Sequence, residues 1–463
     1  MTHANGSSQT AVDQIAHYAA NLRFEDLSDL SVKRSRQIVL DTIGTAIGGY
    51  QTRLGKLATD YAATMQQGQE ASLIGDGRCS TLEGAAWANG VMAKHLGMDD
   101  SGRVHGHVAA EVVPAVLAIG EQKQLSGRQI ITAMAIGYEV MGVIQPAVKD
   151  WQRVRGLDHK GQAATMATAV AAAVAFGLSE EQIGNALALA MDMACGTEQY
   201  VYDAGKNDTK DLLAGYGARN GIYAAKLAAF GFQGPPGALD GEYGYFHAFG
   251  PGYDSAFLDK LGHIDALANT SFKPHAGCRH VHACVDATQQ LMAGEKPPLA
   301  EIVSIEIDTY KNAITPSFRV NYEPDGVGAA GFSLPVTASI ILTSGNWYKE
   351  DIAKFDDPEA RRLRHLVKVG LDEAIMADYP NKNGCEVRIT TRDGQLYKGR
   401  VEHAKGEPEN MLSDAEFASK FRYLVDDLLS EERIADIMAT AGDLESLDDV
   451  GDLVRLTYPD NQF

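Results

Sequence analysis

Apolar residues recur at helical spacing through the first 250 or so residues. Ile130, Ile131, Met134, Ile136 and Met141 form one such run, and Ile183, Ala186, Leu187, Ala190 and Met191 another, each with a period near 3.6. Ser126 with Gln129, and Ser179 with Gln182, stand just ahead of these runs. A Ser followed three residues later by Gln is the spacing of a capping box, in which each side chain satisfies a backbone N–H left open at a helix start. Val112-Val113-Pro114-Ala115 is expected to open a further helix, as is Lys210. The aliphatic positions are rich in Ala, which favours helix and lets helix axes approach closely.

The texture changes near residue 268. Ile302 to Asp308 alternates, which puts Val303, Ile305 and Ile307 on one face of a strand. Cys385, Val387 and Ile389 alternate up to Arg392-Asp393-Gly394, and Leu396 and Tyr397 follow, so this stretch predicts a β-hairpin. Ser333 to Leu342 and Asp357 to Val369 read as helices between them, and Ser413 with Glu416, then Ser430, open two more near the end. The expected fold is mainly α: a large helical domain over 1–267, an inserted smaller α/β lid domain over 268–404, and a helical return over 405–463.

A chain of 463 residues with 45% hydrophobic and 22% charged residues has the composition of a globular protein of two or three domains. Its formal charge of −20 disfavours nucleic acid and anionic membranes, whose binding depends on Lys and Arg neutralising phosphate. An anionic substrate would need a local basic pocket that overcomes this field. The five cysteines are scattered and odd in number, which fits a reducing, cytoplasmic setting better than a disulfide framework. Met1 to Ala11 lacks the features of a signal peptide, and the apolar stretch Ala163 to Leu178 is too short to span a bilayer, so no membrane association is expected. No phosphate-binding glycine loop and no GxSxG elbow is present, which argues against kinase, dehydrogenase and hydrolase chemistry.

Four clusters concentrate chemistry. His95 to His107 holds three histidines, Asp99, Asp100 and Ser101 among glycines, a density that packing alone does not require. Arg155-Gly-Leu-Asp158-His159-Lys160-Gly161-Gln162 leads into a helix, where free N–H groups suit an anion; a plain surface loop is the alternative. Asn207 to Gly215 contains Lys210, which a surface position would also explain. Phe272 to Cys284 gathers Lys273, His275, Arg279, His280 and His282 in an otherwise acidic chain. Asp99, Asp100, His105 and His107, or the i,i+4 pairs Cys278/His282 and His280/Cys284, could ligate zinc, but they follow no usual ligand spacing. A carboxylate-binding loop is the favoured reading of the last cluster, and no metal is expected.

In order along the chain, Met98-Asp99-Asp100-Ser101 with His107 and Pro114-Ala115, Thr209-Lys210 with Gly215 and Ala218-Arg219-Asn220-Gly221, Phe272-Lys273-Pro274 with Cys278-Arg279 and His282, and Gly331-Phe332-Ser333-Leu334-Pro335 resemble the signatures of the MmgE/PrpD family. That family includes 2-methylcitrate dehydratases, cis-aconitate decarboxylases and an iminodisuccinate epimerase. The resemblance runs from about residue 12 to 460. It implies a homodimer, an active site between the helical domain and the lid, and catalysis without metal or organic cofactor. It also implies that Ser101, His107, Lys210 and Lys273 bind or act on the substrate. Two positions depart from the family pattern: Gly97 stands where an aspartate is usual, and Gly156-Leu157-Asp158, with His159 one step later, stands where Gly-Phe-His is usual.

The chemistry implied is proton transfer at the carbon α to a carboxylate of a small polycarboxylate. Lys210, Lys273 and Arg279, with Ser101, Asp99 and His275, form the expected substrate-binding set, and Lys210, Lys273 and Arg279 also stabilise the developing charge. His107 is the expected general acid or base, with His159 or Asp158 as its opposite number. A hydro-lyase resembling 2-methylcitrate dehydratase is the first expectation. An epimerase, a decarboxylase, or a catalytically silent binding protein of the same fold are the alternatives.

Overall fold

The computed structural model describes residues 9–102, 106–158, 161–203, 207–315 and 317–459. The fold is mainly α. Helices α1 (Asp29–Tyr50), α2 (Leu82–His95), α3 (Ala109–Lys123), α4 (Gly127–Arg155), α5 (Ala163–Ala175), α6 (Glu180–Met191) and α7 (Thr209–Ala229) enclose one apolar core. Both expected capping boxes are present: Ser126 caps α4 with Gln129, and Ser179 caps α6 with Gln182. α2 packs against α1, α3 and α7. Its crossing with α7 is close because both helices carry glycine there. A Cβ on Gly215 would lie 2.7 Å from the Trp87 carbonyl oxygen, and one on Gly90 3.4 Å from the Gly215 Cα.

α3 begins earlier than Pro114 suggests. The Asp100 carboxylate accepts hydrogen bonds from the N–H groups of Val108 (3.3 Å) and Ala109 (3.1 Å) and so caps the helix from outside its own sequence. Pro114 falls inside the helix instead of opening it. α4 is long and apolar enough to cross a membrane by length and composition, yet 89% of its apolar window is buried, and it packs along α5.

Beyond the helical layer, strands β3 (Ile302–Thr309), β4 (Val367–Leu371), β5 (Cys385–Thr391) and β6 (Leu396–Val401) form a sheet in the order β4-β3-β5-β6, with β4 parallel to β3 and the other neighbours antiparallel. Helix α8 (His282–Met292) lies on β5 and β6 at Gly399, where a Cβ would meet the Ala287 carbonyl oxygen at 1.9 Å. The hairpin is where the alternation placed it. Two expectations are corrected. The register shifts between Ile302 and Ser304, so Val303 turns outward and is 47% exposed, while Ile302, Ile305 and Ile307 are buried. The helix expected over Asp357 to Val369 is a short one, α10 (Pro358–Arg364), followed by β4, because Val367 and Val369 are claimed by pairing with Ile305 and Ile307. Helix α9 (Leu334–Ser344) packs on both α8 and α10.

The last helices, α11 (Asp414–Val425) and α12 (Glu431–Gly442), pack back onto α1. Buried Lys420 of α11 pairs with Asp41 of α1 at 2.5 Å and donates to the Met98 carbonyl at 2.7 Å. The end of the chain therefore fixes the segment that carries Asp99.

Candidate active site

A two-residue ladder brings distant segments together. β1 (Ser101–Gly102), between α2 and α3, pairs antiparallel with β2 (Thr270–Ser271), Ser101 opposite Ser271. Continuing that register by two residues sets Asp99 opposite Lys273, and the Lys273 ammonium donates to Asp99 Oδ1 at 2.8 Å. Lys94, in the last turn of α2, reaches Asp99 Oδ2 at 2.5 Å. His107 Nδ1 lies 2.9 Å from Asp99 Oδ2 and 2.6 Å from the Asp100 carbonyl oxygen. Both neighbours are acceptors, so Nδ1 carries the proton and Nε2 is the basic nitrogen of the neutral ring. Asp99 is thus the hub of the site, holding two ammonium groups and the imidazole. Both of its oxygens are taken up by these groups, which it orients; the sequence placed Asp99 among the substrate-binding residues.

Burial and mutual charge set the titration of this group. Burial opposes ionisation of Asp99, but Lys273, Lys94 and His107 together hold its carboxyl well below the usual range. Burial, then the two ammonium groups, push His107 well below an ordinary histidine, so the ring is neutral at pH 7. Lys273 is pulled down to about 8, by burial first and by Lys94 next, against the attraction of Asp99. Asp100 is pushed up to about 6 by burial and by Asp99; it accepts from the Tyr138 hydroxyl at 2.8 Å. Asp99, Asp100 and His107 are close enough to suggest a metal centre. The donor set does not fit one: Asp99 is already neutralised by two ammonium groups, and His107 Nδ1 is protonated toward a carbonyl.

Lys94, His107 and Lys273 lie in the wall of a cavity of about 280 Å³, with Asp99 behind them. Ser101, His107, Lys210, Lys273 and Arg279 all line it, so the structure brings five of the sequence-derived site residues to one place. Lys94, Lys149, Arg153 and Arg319 add four basic groups to the wall, whereas Glu198 is the one acid among its described residues. Lys210 sits at the start of α7 with Asp211 at 3.3 Å, and Asp211 is held from its other side by His95 at 2.8 Å. His280 also lines the cavity, its Nδ1 2.7 Å from the Tyr310 hydroxyl.

Other expected residues fall elsewhere. Asp158 is fully buried and off the cavity wall; its carboxylate accepts from the Tyr200 hydroxyl at 2.6 Å and from the Gly161 N–H at 3.2 Å, so it acts on the wall through Tyr200. His159, like His105 and Lys160, lies outside the described residues. His275 faces away, 3.8 Å from Asp286 and ring to ring with His282. The zinc pairs Cys278/His282 and His280/Cys284 form no ligand cluster among the described residues. Gly97 lines the cavity at a φ of +63°, with Gly277 N 3.0 Å from where a Cβ would be, so a side chain here would be both strained and crowded.

Sequence reading missed Lys94, Lys149, Arg153 and Arg319. One signal was present: Gln145, Lys149, Gln152 and Arg153 recur at i, i+4, i+7 and i+8, which is a polar stripe on the otherwise apolar α4. Behind that stripe, Gln145 Nε2 donates to Gln152 Oε1 (3.3 Å), and Gln152 Nε2 donates to both Gln162 (2.7 Å) and the Tyr245 hydroxyl (2.8 Å). This chain fixes the amide orientations and leaves Gln145 Oε1 as a buried acceptor without a partner among the described residues.

Two sequence families account for most of the chain. Residues 13–258 match the MmgE/PrpD N-terminal domain and residues 275–444 the MmgE/PrpD C-terminal domain. The chain belongs to the MmgE/PrpD family. Its relatives include cis-aconitate decarboxylase of Homo sapiens, 26% identical over 94% of this chain and 92% of that protein. The cis-aconitate decarboxylase of Aspergillus terreus is 25% identical over 98% of this chain and 97% of its own length. The family's two domains meet at the site: β1, α2 and α7 come from the N-terminal match, Arg279 and Arg319 from the C-terminal one, and Lys273 from the short link between them.

Proposed function

We propose that this protein is a lyase that acts on a small polycarboxylate by moving a proton at the carbon α to a carboxylate, with no metal or organic cofactor. The observation that carries this reading is the convergence of Lys94, Lys210, Lys273, Arg279, Arg153 and Arg319 around His107 in one cavity of a strongly acidic protein. Such a surplus of fixed cations suits a multiply charged anion and stabilises the enolate-like charge that forms when its α proton leaves. Neutral His107, its Nδ1–H oriented by Asp99 and Asp100, is the base through Nε2. Lys273, still largely an ammonium at pH 7, is the acid on hand for the leaving group and takes the part that sequence assigned to His159 or Asp158.

Two finer readings have support. Elimination of water from a hydroxy-polycarboxylate such as 2-methylcitrate is favoured by Gln145 Oε1, an acceptor in the wall that a substrate hydroxyl would satisfy. Decarboxylation is favoured by the relatives named above. An epimerase is a further alternative. Purified protein incubated with citrate, 2-methylcitrate, cis-aconitate and iminodisuccinate separates them. Dehydration gives new absorbance from a conjugated alkene, decarboxylation gives CO₂, and epimerisation gives solvent deuterium uptake with no other change in mass. Silence with all four would defeat the lyase reading. The expected functional unit is a cytoplasmic homodimer.

A further inference from the structure

The segment 403–407 touches both cationic limbs of the cavity without lining it. Gly406, at a φ of +85°, exchanges backbone contact with Phe272: the Phe272 N–H donates to the Gly406 carbonyl at 2.8 Å, and a Cβ on Gly406 would lie 1.9 Å from the Phe272 oxygen. Phe272 directly precedes Lys273. One residue back, the Lys405 carbonyl accepts from Arg279 Nη1 at 3.1 Å, and one residue on, Glu407 Oε1 lies 3.2 Å from Arg279 Nη2. Glu407 is 1% exposed, and the same Oε1 accepts from Asn383 Nδ2 at 2.8 Å. Arg279 and Asn383 both line the cavity, but they come from segments more than a hundred residues apart. His403 Nδ1 stands 3.4 Å from Glu407 Oε2.

We infer that Glu407 is the positioning residue of this active site, a buried carboxylate that fixes the Arg279 guanidinium and Asn383 in the cavity wall while touching no substrate itself. This rests on reading the cavity as a polycarboxylate site. A free arginine side chain would lose rotamer freedom each time it met a carboxylate; held by a hydrogen bond to the Lys405 carbonyl and an ion pair with Glu407, Arg279 has already lost much of it. His403 and Glu409 sit near enough to Glu407 to suggest a cation site. With the guanidinium and an amide N–H already on Glu407, the group serves the wall.

The test combines a non-reacting ligand with a ligand-free probe. Tricarballylate binding is measured by calorimetry for wild type, Glu407→Gln, Arg279→Ala and the double variant. Glu407→Gln is expected to weaken binding by up to about tenfold, since the freed guanidinium must be immobilised again on binding. In the Arg279→Ala background the same change should cause a smaller loss than in wild type. Arg279→Lys, which keeps the charge but cannot make the two-point contact, should bind as weakly as Arg279→Ala, and this variant decides the matter if Glu407→Gln fails to fold. In parallel, phenylglyoxal labelling of the Arg279 peptide, read by mass spectrometry without ligand, should be several-fold faster in Glu407→Gln than in wild type. Additive losses, or equal labelling rates, would overturn the positioning role. Absence of tricarballylate binding by wild type would instead defeat the polycarboxylate reading, and the labelling rates would still judge Glu407.

Discussion

At the scale of single residues, the proposed chemistry turns on how one buried carboxylate, Asp99, holds its neighbours. Asp99 holds His107 in one tautomer and keeps two ammonium groups within hydrogen-bond distance, so changing His107 removes the base without removing the scaffold. His107→Asn is expected to lower kcat/KM by on the order of 10²-fold or more while the melting temperature moves little, because the ring is partly exposed to the cavity. The pH profile follows from the two groups. His107 must be neutral, so the acid limb lies below the ordinary histidine range; Lys273 must be charged, so activity falls as pH rises through about 8. Lys94 is one cause of the depressed Lys273 value. Removing it in Lys94→Met takes away a repelling cation, favours the protonated lysine and should move the basic limb to higher pH. A basic limb that stays in place in this variant would remove Lys273 from the acid role.

At the scale of elements, the sequence was most legible where a structure is specified by its own neighbours. Ser126/Gln129 and Ser179/Gln182 satisfy helix ends three residues away, and Arg392-Asp393-Gly394 turns between two strands that pair with each other, so local pattern was sufficient. It failed where the partner is remote. Asp100 starts α3 from outside, β3 draws Val367 and Val369 out of a helical-looking run, and a register shift turns Val303 to solvent. The site divides the same way. Lys210, Lys273, Arg279 and His107 stood in dense motifs. Lys94 and Arg319 lie outside the motifs singled out, and only the fold shows that they share the cavity. The α2–α7 crossing gives a direct test of element packing. Gly215→Ala adds a methyl within 2.7 Å of the Trp87 carbonyl oxygen, its ring and Val91. Overpacking of this kind costs about 1–3 kcal/mol, and the gain in helix propensity returns at most about 1 kcal/mol. The variant should therefore show a lower urea midpoint, with activity lost in step because α2 ends in Lys94 and α7 begins at Lys210.

At the scale of the whole molecule, two fields of opposite sign act on an approaching polyanion. The net charge of −20 repels it at long range, while the lysines and arginines of the cavity attract it near the mouth. Their ranges separate them. Screening lengths are about 30 Å at 0.01 M ionic strength, about 10 Å at 0.1 M and about 3 Å at 1 M. The first increment of salt therefore removes mainly the global repulsion, and only the later increments reach the short contacts inside the cavity. For a trianionic substrate, kcat/KM should rise between about 0.01 and 0.1 M salt and fall again toward 1 M, provided the added salt is a monovalent one that does not itself occupy the cavity. A surface lacking the cationic cavity would give only the rise. A protein without the acidic exterior would give only the fall, so a maximum in between is the signature of a basic pocket set in an acidic shell, and steady-state rates across a sodium chloride series would display it.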